Sequence, residues 1–277
     1  MTQQRSNFGI GASEISTVCG MNPFSSPWDL WTRKIGEAPD VEQNEPMEWG
    51  NRLESAIRQK YCDETGFTVE VPKESMFHPE HPFARATPDG IVFGPERIGL
   101  VQIKNVSFWL GREWEVAPPA YVQLQTQWEM LVAGDSRNDV AALIAGNEFR
   151  LFTVHRDDAT IAHLVTIALD FWHRVEKRIP PEIDNSDVCR EHLEKRFAKS
   201  NAVELVANDE IESLFSAWRQ NTLALKQADA ELKRIRNVVR SHLADAQADR
   251  IVSSTGVAKL DKNNKLLAPR EWGKETA

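Results

Sequence analysis

The sequence predicts a mixed α/β core followed by a helical extension, and three observations predict it. Apolar residues recur at helical spacing up to Gly66, then fall into strand-like runs between Phe67 and Val106, and the two patterns alternate as far as Pro180. Two proline pairs, Pro118-Pro119 and Pro180-Pro181, sit where one helix opens and another ends. Beyond Pro181 only a sparse apolar stripe at helical spacing remains. A core over 1–180 and a mainly helical extension with a small β-hairpin over 181–277 are therefore expected.

The elements follow in order. Ser13 stands before the apolar-periodic stretch Glu14–Cys19 as an N-cap, with Gly20 ending the turn. Ser26 and Pro27 open a second helix that Gly36 closes, and the polar, proline-bearing stretch 37–47 is a loop. A stronger helix runs from about Trp49 to Glu64, with Trp49, Leu53, Ile57 and Tyr61 four apart and Gly66 as its stop. Glu54 lies just beside that stripe, at the edge of the buried face.

Residues 67–71, 90–94 and 99–106 read as strands, the last two joined by a hairpin. A helix from Pro118-Pro119 to about Ala133 turns Leu124, Trp128 and Leu131 toward the core. Two more strands, 139–146 and 148–155, form a hairpin around Gly146-Asn147, and a helix from about Asp158 to Arg178 completes the unit. From Asp209 to Ala246, Ile211, Leu214, Trp218, Leu225, Leu232, Ile235 and Val239 recur at three, four and seven. That spacing predicts a long helix or a helical hairpin packed on a partner, followed by a small hairpin at 251–262. Trp28, Trp49, Trp128 and Trp172 fall on apolar faces and are assigned to the core.

Bulk properties narrow the function classes. Charged residues at 27% and hydrophobic ones at 41% are those of an ordinary globular protein. No apolar run approaches the roughly 20 residues of a membrane helix, and the first residues lack the apolar core of a secretory signal. Three scattered cysteines argue against a disulfide framework, a closed zinc site or a four-cysteine cluster, so a reducing cytoplasm is the expected setting. A net charge of −8 leans against nucleic acid as a partner, yet carboxylates gathered around bound cations reverse the local sign.

Chemistry concentrates in Thr87-Pro88-Asp89-Gly90 and Val101-Gln102-Ile103-Lys104. Asp89 sits in a tight turn that exposes its carboxylate. Gln102 and Lys104 are two apart on a strand and share a face, while Ile103 turns its side chain to the core and leaves its carbonyl in reach of a metal. An acid at a turn beside a strand bearing E-x-K is how a PD-(D/E)XK nuclease holds Mg²⁺, with the lysine orienting the attacking water. Taken singly, each residue has a plain structural reading. Glu54 reads as a solvated helix residue, Lys104 as a snorkelling lysine, Gln125 as an exposed amide and Ser13 as a cap. Trp109 and Trp114 lie with Arg112 in a polar stretch, where base stacking is open as a role.

The ordered series is more specific than its parts. Gly9-Ile10-Gly11-Ala12-Ser13-Glu14, Trp49-Gly50-x-x-x-Glu54, Thr87-Pro88-Asp89-Gly90, Gln102-x-Lys104 and Gln125-x-Gln127-Trp128-x-Met130 follow one another over roughly residues 5–175. This series resembles the lambda-type phage exonucleases, also called YqaJ-type viral recombinase nucleases. The resemblance implies a PD-(D/E)XK restriction-endonuclease-like core in an α/β fold with a mixed sheet. It implies Mg²⁺-dependent degradation (Mn²⁺ substituting) of one strand of duplex DNA from its 5′ end. It further implies a ring-shaped homotrimer and a 3′ overhang passed to a single-strand annealing protein. Residue by residue, Glu54, Asp89 and Gln102 match the metal-binding acids, with Ile103 lending a carbonyl. Lys104 matches the catalytic lysine and Gln125 a site glutamine. Ser13 and Thr87 match the holders of a 5′-phosphate, and Arg5, one residue off the usual spacing, is a third candidate.

Position 102 departs from that pattern, because the family places glutamate there. Glutamine keeps the shape and loses the charge. At about 4 Å and an effective dielectric near 20 that charge is worth about 4 kcal/mol, or roughly 10³-fold in rate. An inactivated or substrate-trapping form is the expectation, arising by an engineered substitution or as a natural variant. A PD-(D/E)XK endonuclease or nickase and a catalytically silent DNA-end-binding subunit stay open as alternatives.

Overall fold

The computed structural model describes residues 8–39, 43–196, 204–253, 256–263 and 265–267. The chain forms two compact units, 1–199 and 200–277.

The first unit opens with β1 (Ile10–Gly11), a single 3-10 turn at Ala12–Glu14, and α1 (Ile15–Val18). Ser13 lies inside that turn rather than capping it; the Glu14 carboxylate caps instead, accepting the Gly11 N–H at 2.7 Å. In α2 (Pro27–Lys34) the Ser26 hydroxyl accepts the Asp29 N–H, as the serine–proline start predicts. α3 (Glu45–Thr65) begins four residues before the expected Trp49, because Asn44 caps it and Pro46 fits its first turn. The expected loop 37–47 is shortened accordingly. Trp49 then lies on the outer side of α3 and is 51% exposed, so its assignment to the core is corrected, whereas Ile57 and Tyr61 are buried.

The strands β2 (Thr68–Glu70), β3 (Met76–Phe77), β4 (Ala84–Ala86), β5 (Gly90–Phe93) and β6 (Arg97–Val106) follow. α4 (Ala120–Ala133) then crosses to β7 (Arg137–Ile144), which turns back into β8 (Glu148–His155). α5 (Asp158–Lys177) and α6 (Asp187–Arg196) close the unit. The main sheet runs β2-β5-β6-β7-β8, with β6 and β7 parallel and the other pairs antiparallel. A second sheet, β1-β4-β3, sets β1 parallel to β4 and so brings residues 10–11 beside 84–85. β1, β3 and β4 are two or three residues long, too short for the alternation that reveals a strand in sequence.

Side-chain alternation along β6 sorts the two faces. Val101 and Ile103 pack with Ile57 and Tyr61 of α3, so Ile103 points away from α4. Gln102 and Lys104 point to the α4 face, where Val122, Val140 and Ala142 form another core cluster. Trp128 packs with α1, α2 and α5 in the largest cluster. Trp114 is buried beside Phe152 and is a core residue, not a base-stacking one.

The first unit reaches to residue 199 rather than 180. The Trp28 indole N–H donates to the Glu182 carbonyl at 2.7 Å, and the Trp28 ring lies 5.1 Å from that of His192 on α6. In the second unit α7 (Asp209–Asp245) is one continuous helix capped by Asn208, so the helical-hairpin alternative is set aside. β9 (Arg250–Ser253), β10 (Gly256–Leu260) and β11 (Leu266–Leu267) form a three-stranded antiparallel sheet where a hairpin was expected.

Candidate active site

Asp89 occupies the turn between β4 and β5, and β5 pairs with β6 so that Gly90 faces Val101. A Cβ at Gly90 would lie 2.1 Å from Val69 of β2, so only glycine lets the turn enter the sheet here. This register sets Asp89 against the start of the Gln102–Lys104 row. Its Oδ2 accepts the Gln102 side-chain amide at 2.5 Å and the Ile103 backbone N–H at 2.7 Å. Burial raises the Asp89 carboxyl above the usual carboxylate range, against the opposing pull of the Lys104 ammonium and these two donors.

A chain of hydrogen bonds runs from β6 into α4. Lys104 Nζ donates to Gln125 Oε1 at 2.9 Å, and Gln125 Nε2 donates to Glu129 Oε1 at 2.9 Å. Asn138 of β7 donates to the other Glu129 oxygen at 2.7 Å. Gln125 is therefore buried, not the exposed amide that sequence alone suggests. Glu129 is 1% exposed, and burial first, then the Asp89 charge, push its carboxyl up to about 7. The Gln102 Oε1 is buried with no hydrogen-bond partner.

Glu54, on α3, forms an ion pair with Arg58 one turn on. Its carboxyl is raised by burial and by the charge of Asp89, which puts the two acids within electrostatic reach of each other. No hydrogen bond joins them among the described residues, nor does any group of three or more His, Cys, Asp and Glu side chains there suit a metal ion. The oxygens that the motif series offers a cation are the Asp89 and Glu54 carboxylates, the unpartnered Gln102 oxygen and the Ile103 carbonyl, of which Asp89 and Gln102 line a common cleft. These are hard oxygens, which fit Mg²⁺ or Mn²⁺ in kind and fall one negative charge short of three acids.

Asp89, Gln102, Lys104, Gln125 and Glu129 line one end of a cleft of about 510 Å³. Its other end is lined by Gly11, Ala12, Ser13, Glu14, Ser75, Arg85, Ala86 and Thr87. Ser13 and Thr87 thus come together across the β1–β4 pair, and the Thr87 hydroxyl meets that of Ser75 at 2.8 Å. Arg85 donates to the Phe8 carbonyl at 3.0 Å and lies 3.9 Å from Glu14, which also holds Lys34 at 2.8 Å. Burial lowers the Lys34 ammonium and the Glu14 charge opposes that.

Three residues here escaped the sequence reading. Arg85 lies within a three-residue strand and Ser75 beside a two-residue one, neither with a periodic signal, and Glu129 looks like any surface helix acid. Arg5, the other expected cation, lies outside the described residues. Trp109 is 80% exposed against Phe108 and Arg112 is also exposed, and neither lines the cleft. A separate cavity of about 580 Å³ along α6 is lined by Ile183, Cys189 and Leu193 together with Asp184, Asp187, Arg190 and Glu194.

Comparison with known proteins follows the same lines. Residues 2–136 match the YqaJ-like viral recombinase domain. The chain is 30% identical over 252 residues to YqaJ of Bacillus subtilis (strain 168), covering 86% of this chain and 76% of that protein. Its fold is similar to the alkaline exonuclease LHK-Exo from Laribacter hongkongensis, with a TM-score of 0.54 and 25% identity over 69% of this chain and 93% of that one. The same values hold for LHK-Exo in complex with dAMP. Taken with the motif order and the mixed-sheet cleft, these matches establish that the chain belongs to the YqaJ-like viral recombinase family, with the fold of a phage-type exonuclease.

Proposed function

We propose that the protein is a Mg²⁺-dependent exonuclease that removes nucleotides from the 5′ end of one strand of linear duplex DNA. Mn²⁺ would substitute. The observation that carries this reading is the cleft itself. An acid, an amide and a lysine line one end, and hydroxyls with an arginine line the other. One cleft that offers hydroxyls and an arginine to a terminal phosphate beside a hydrolytic centre suits attack at a chain end.

Asp89, Glu54, Gln102 Oε1 and the Ile103 carbonyl would hold the cation. A bound Mg²⁺ supplies Lewis acidity at the scissile phosphate. Lys104 orients the attacking water, and Gln125, pinned by Glu129, fixes the lysine head group. Ser13, Thr87 and Arg85 receive the terminal phosphate by charge-assisted hydrogen bonds. The dAMP bound by the Laribacter enzyme supports a mononucleotide product. A homotrimer, a 3′ overhang handed to a single-strand annealing protein, and action in the bacterial cytoplasm complete the proposal. No helix among the described residues is long and apolar enough to cross a membrane.

The test is linear duplex labelled at the 5′ or 3′ end, with a circular control, in Mg²⁺. Early release of the 5′ label as mononucleotide, with the circle intact, is expected; nicking of the circle would overturn the exonuclease in favour of an endonuclease. A second reading, a silent DNA-end-binding subunit, is favoured by one observation. The Gln102 amide N–H occupies Asp89 Oδ2, where a glutamate would leave that oxygen to a cation. End binding with no cleavage, even after Gln102→Glu, would select it.

A further inference from the structure

Glu129 is a fully buried carboxylate whose charge the function above does not use. It lines the same end of the cleft as Asp89, Gln102 and Lys104. Its oxygens accept from the neutral amides of Gln125 and Asn138 rather than from a cation. Burying a carboxylate with no cation on its oxygens is expensive, and the Asp89 charge adds repulsion that the two amides and the Lys104 charge oppose. Such a group is retained at a cost that a cation in the cleft would offset. Gln102, meanwhile, is neutral where the strand is expected to bring an acid, and its oxygen has no partner. Asp89 and Glu129 both line the cleft beside Gln102 and Lys104, and Glu54, which does not line it, lies within electrostatic reach of Asp89.

We propose that Glu129 supplies from α4 the negative charge that Gln102 does not bring from β6, so that the cleft binds its divalent cation with glutamine in place at 102. This rests on the metal-nuclease reading and deepens it. The acid has changed elements while the charge around the cation is conserved. The protein is then an active enzyme as it stands, and the 10³-fold loss expected from position 102 alone does not occur.

The decisive measurement is Mn²⁺ affinity without DNA, by electron paramagnetic resonance or calorimetry. It compares the full native chain, Glu129→Gln, Gln102→Glu and the double variant, each checked by circular dichroism and melting. Glu129→Gln should weaken Mn²⁺ binding by at least about tenfold, and adding Gln102→Glu should restore it. Restoration separates charge from packing, since an acid at 102 cannot repair the partner that Gln125 and Asn138 have lost. Cleavage in Mg²⁺ should follow the same order, with Gln102→Glu alone raising the native rate less than about tenfold. Unchanged Mn²⁺ affinity in Glu129→Gln, or a folded double variant as weak as the single one, would overturn the proposal. So would a native chain that is inert while Gln102→Glu cleaves, an outcome that leaves the nuclease reading standing. If no variant binds Mn²⁺ or cleaves DNA, the metal-nuclease reading itself falls.

Discussion

α4 is a 14-residue helix with nine buried residues, whereas α7, at 37 residues, buries only Leu243. In α4 the buried set includes Gln125, Thr126, Gln127 and Glu129, and each is satisfied. Thr126 donates to the Gln123 carbonyl at 2.7 Å, and Gln127 donates to the His155 carbonyl and accepts the Asp157 N–H. In α7 the apolar Leu214, Phe215, Trp218 and Leu225 are exposed. Residue type alone would have left the four polar residues of α4 outside and turned the apolar stripe of α7 inside. Burial follows the partners that a position meets, and the hydrogen-bonded polar groups of α4 mark the layer it shares with β6 at the candidate site.

Removing the acid at the heart of that layer should have the largest effect. Asp89→Ala is expected to lower Mg²⁺-dependent cleavage by at least about 10³-fold while circular dichroism stays native. Retained cutting would remove the layer from the mechanism. Next comes packing beneath it: Trp128→Ala, at a fully buried site, should cost about 3–5 kcal/mol in a denaturant titration. At the far end of the cleft, Arg85→Ala should narrow the preference for 5′-phosphorylated over 5′-hydroxyl duplex by roughly tenfold to a hundredfold, from a charge-assisted bond of about 1.5–3 kcal/mol. Equal rates on both substrates in the native chain would dissolve the phosphate pocket.

A subtler expectation concerns pH in cation-free protein. The Glu129 carboxyl is raised from 4.5 to about 7 in the folded state, so between those values the native form binds more protons than the unfolded one. Its contribution to stability is therefore full below about 4.5 and is lost as pH rises to about 7. Melting profiles of Glu129→Gln should fall less over that window than those of the native chain. The smallest effect belongs to α7. Trp218→Ala, 71% exposed, should change stability by no more than about 0.5 kcal/mol in the isolated chain. A larger loss would show that α7 is packed in solution in a way its exposure does not reveal.

The contrast between helices also explains what the sequence disclosed. The order of helices and strands from α3 to α5 was legible, because long periodic segments bounded by proline and glycine leave few alternatives. Asp89, Gln102, Lys104 and Gln125 were legible as an ordered motif series, and the fold gathers them at one end of a cleft. The start of α3 was misread because the Asn44 cap hides in a polar stretch, and Trp49 was misplaced with it. Glu129 was invisible for a deeper reason. Its partners, Gln125 on its own helix and Asn138 across a strand crossover, acquire meaning only once β7 lies beside β6. Arg85 was hidden likewise, since residues 10–14 reach it through a strand pair two residues long.

That parallel pairing of β6 with β7, register Leu100↔Asn138 through Val106↔Ile144, also sets when the centre can exist during folding. Parallel neighbours cannot zip up locally through a tight turn; the whole α4 crossover must form and close before the ladder is gained. Lys104 and Asp89 are synthesised well before Asn138, yet the Gln125–Glu129–Asn138 anchor has nothing to fasten to until β7 docks. Non-local pairings of this kind are the slow steps of folding. A partly unfolded chain therefore carries every residue of the proposed centre without the geometry to use it. For the nuclease proposed above, topology acts as a safety catch released only by completion of the core.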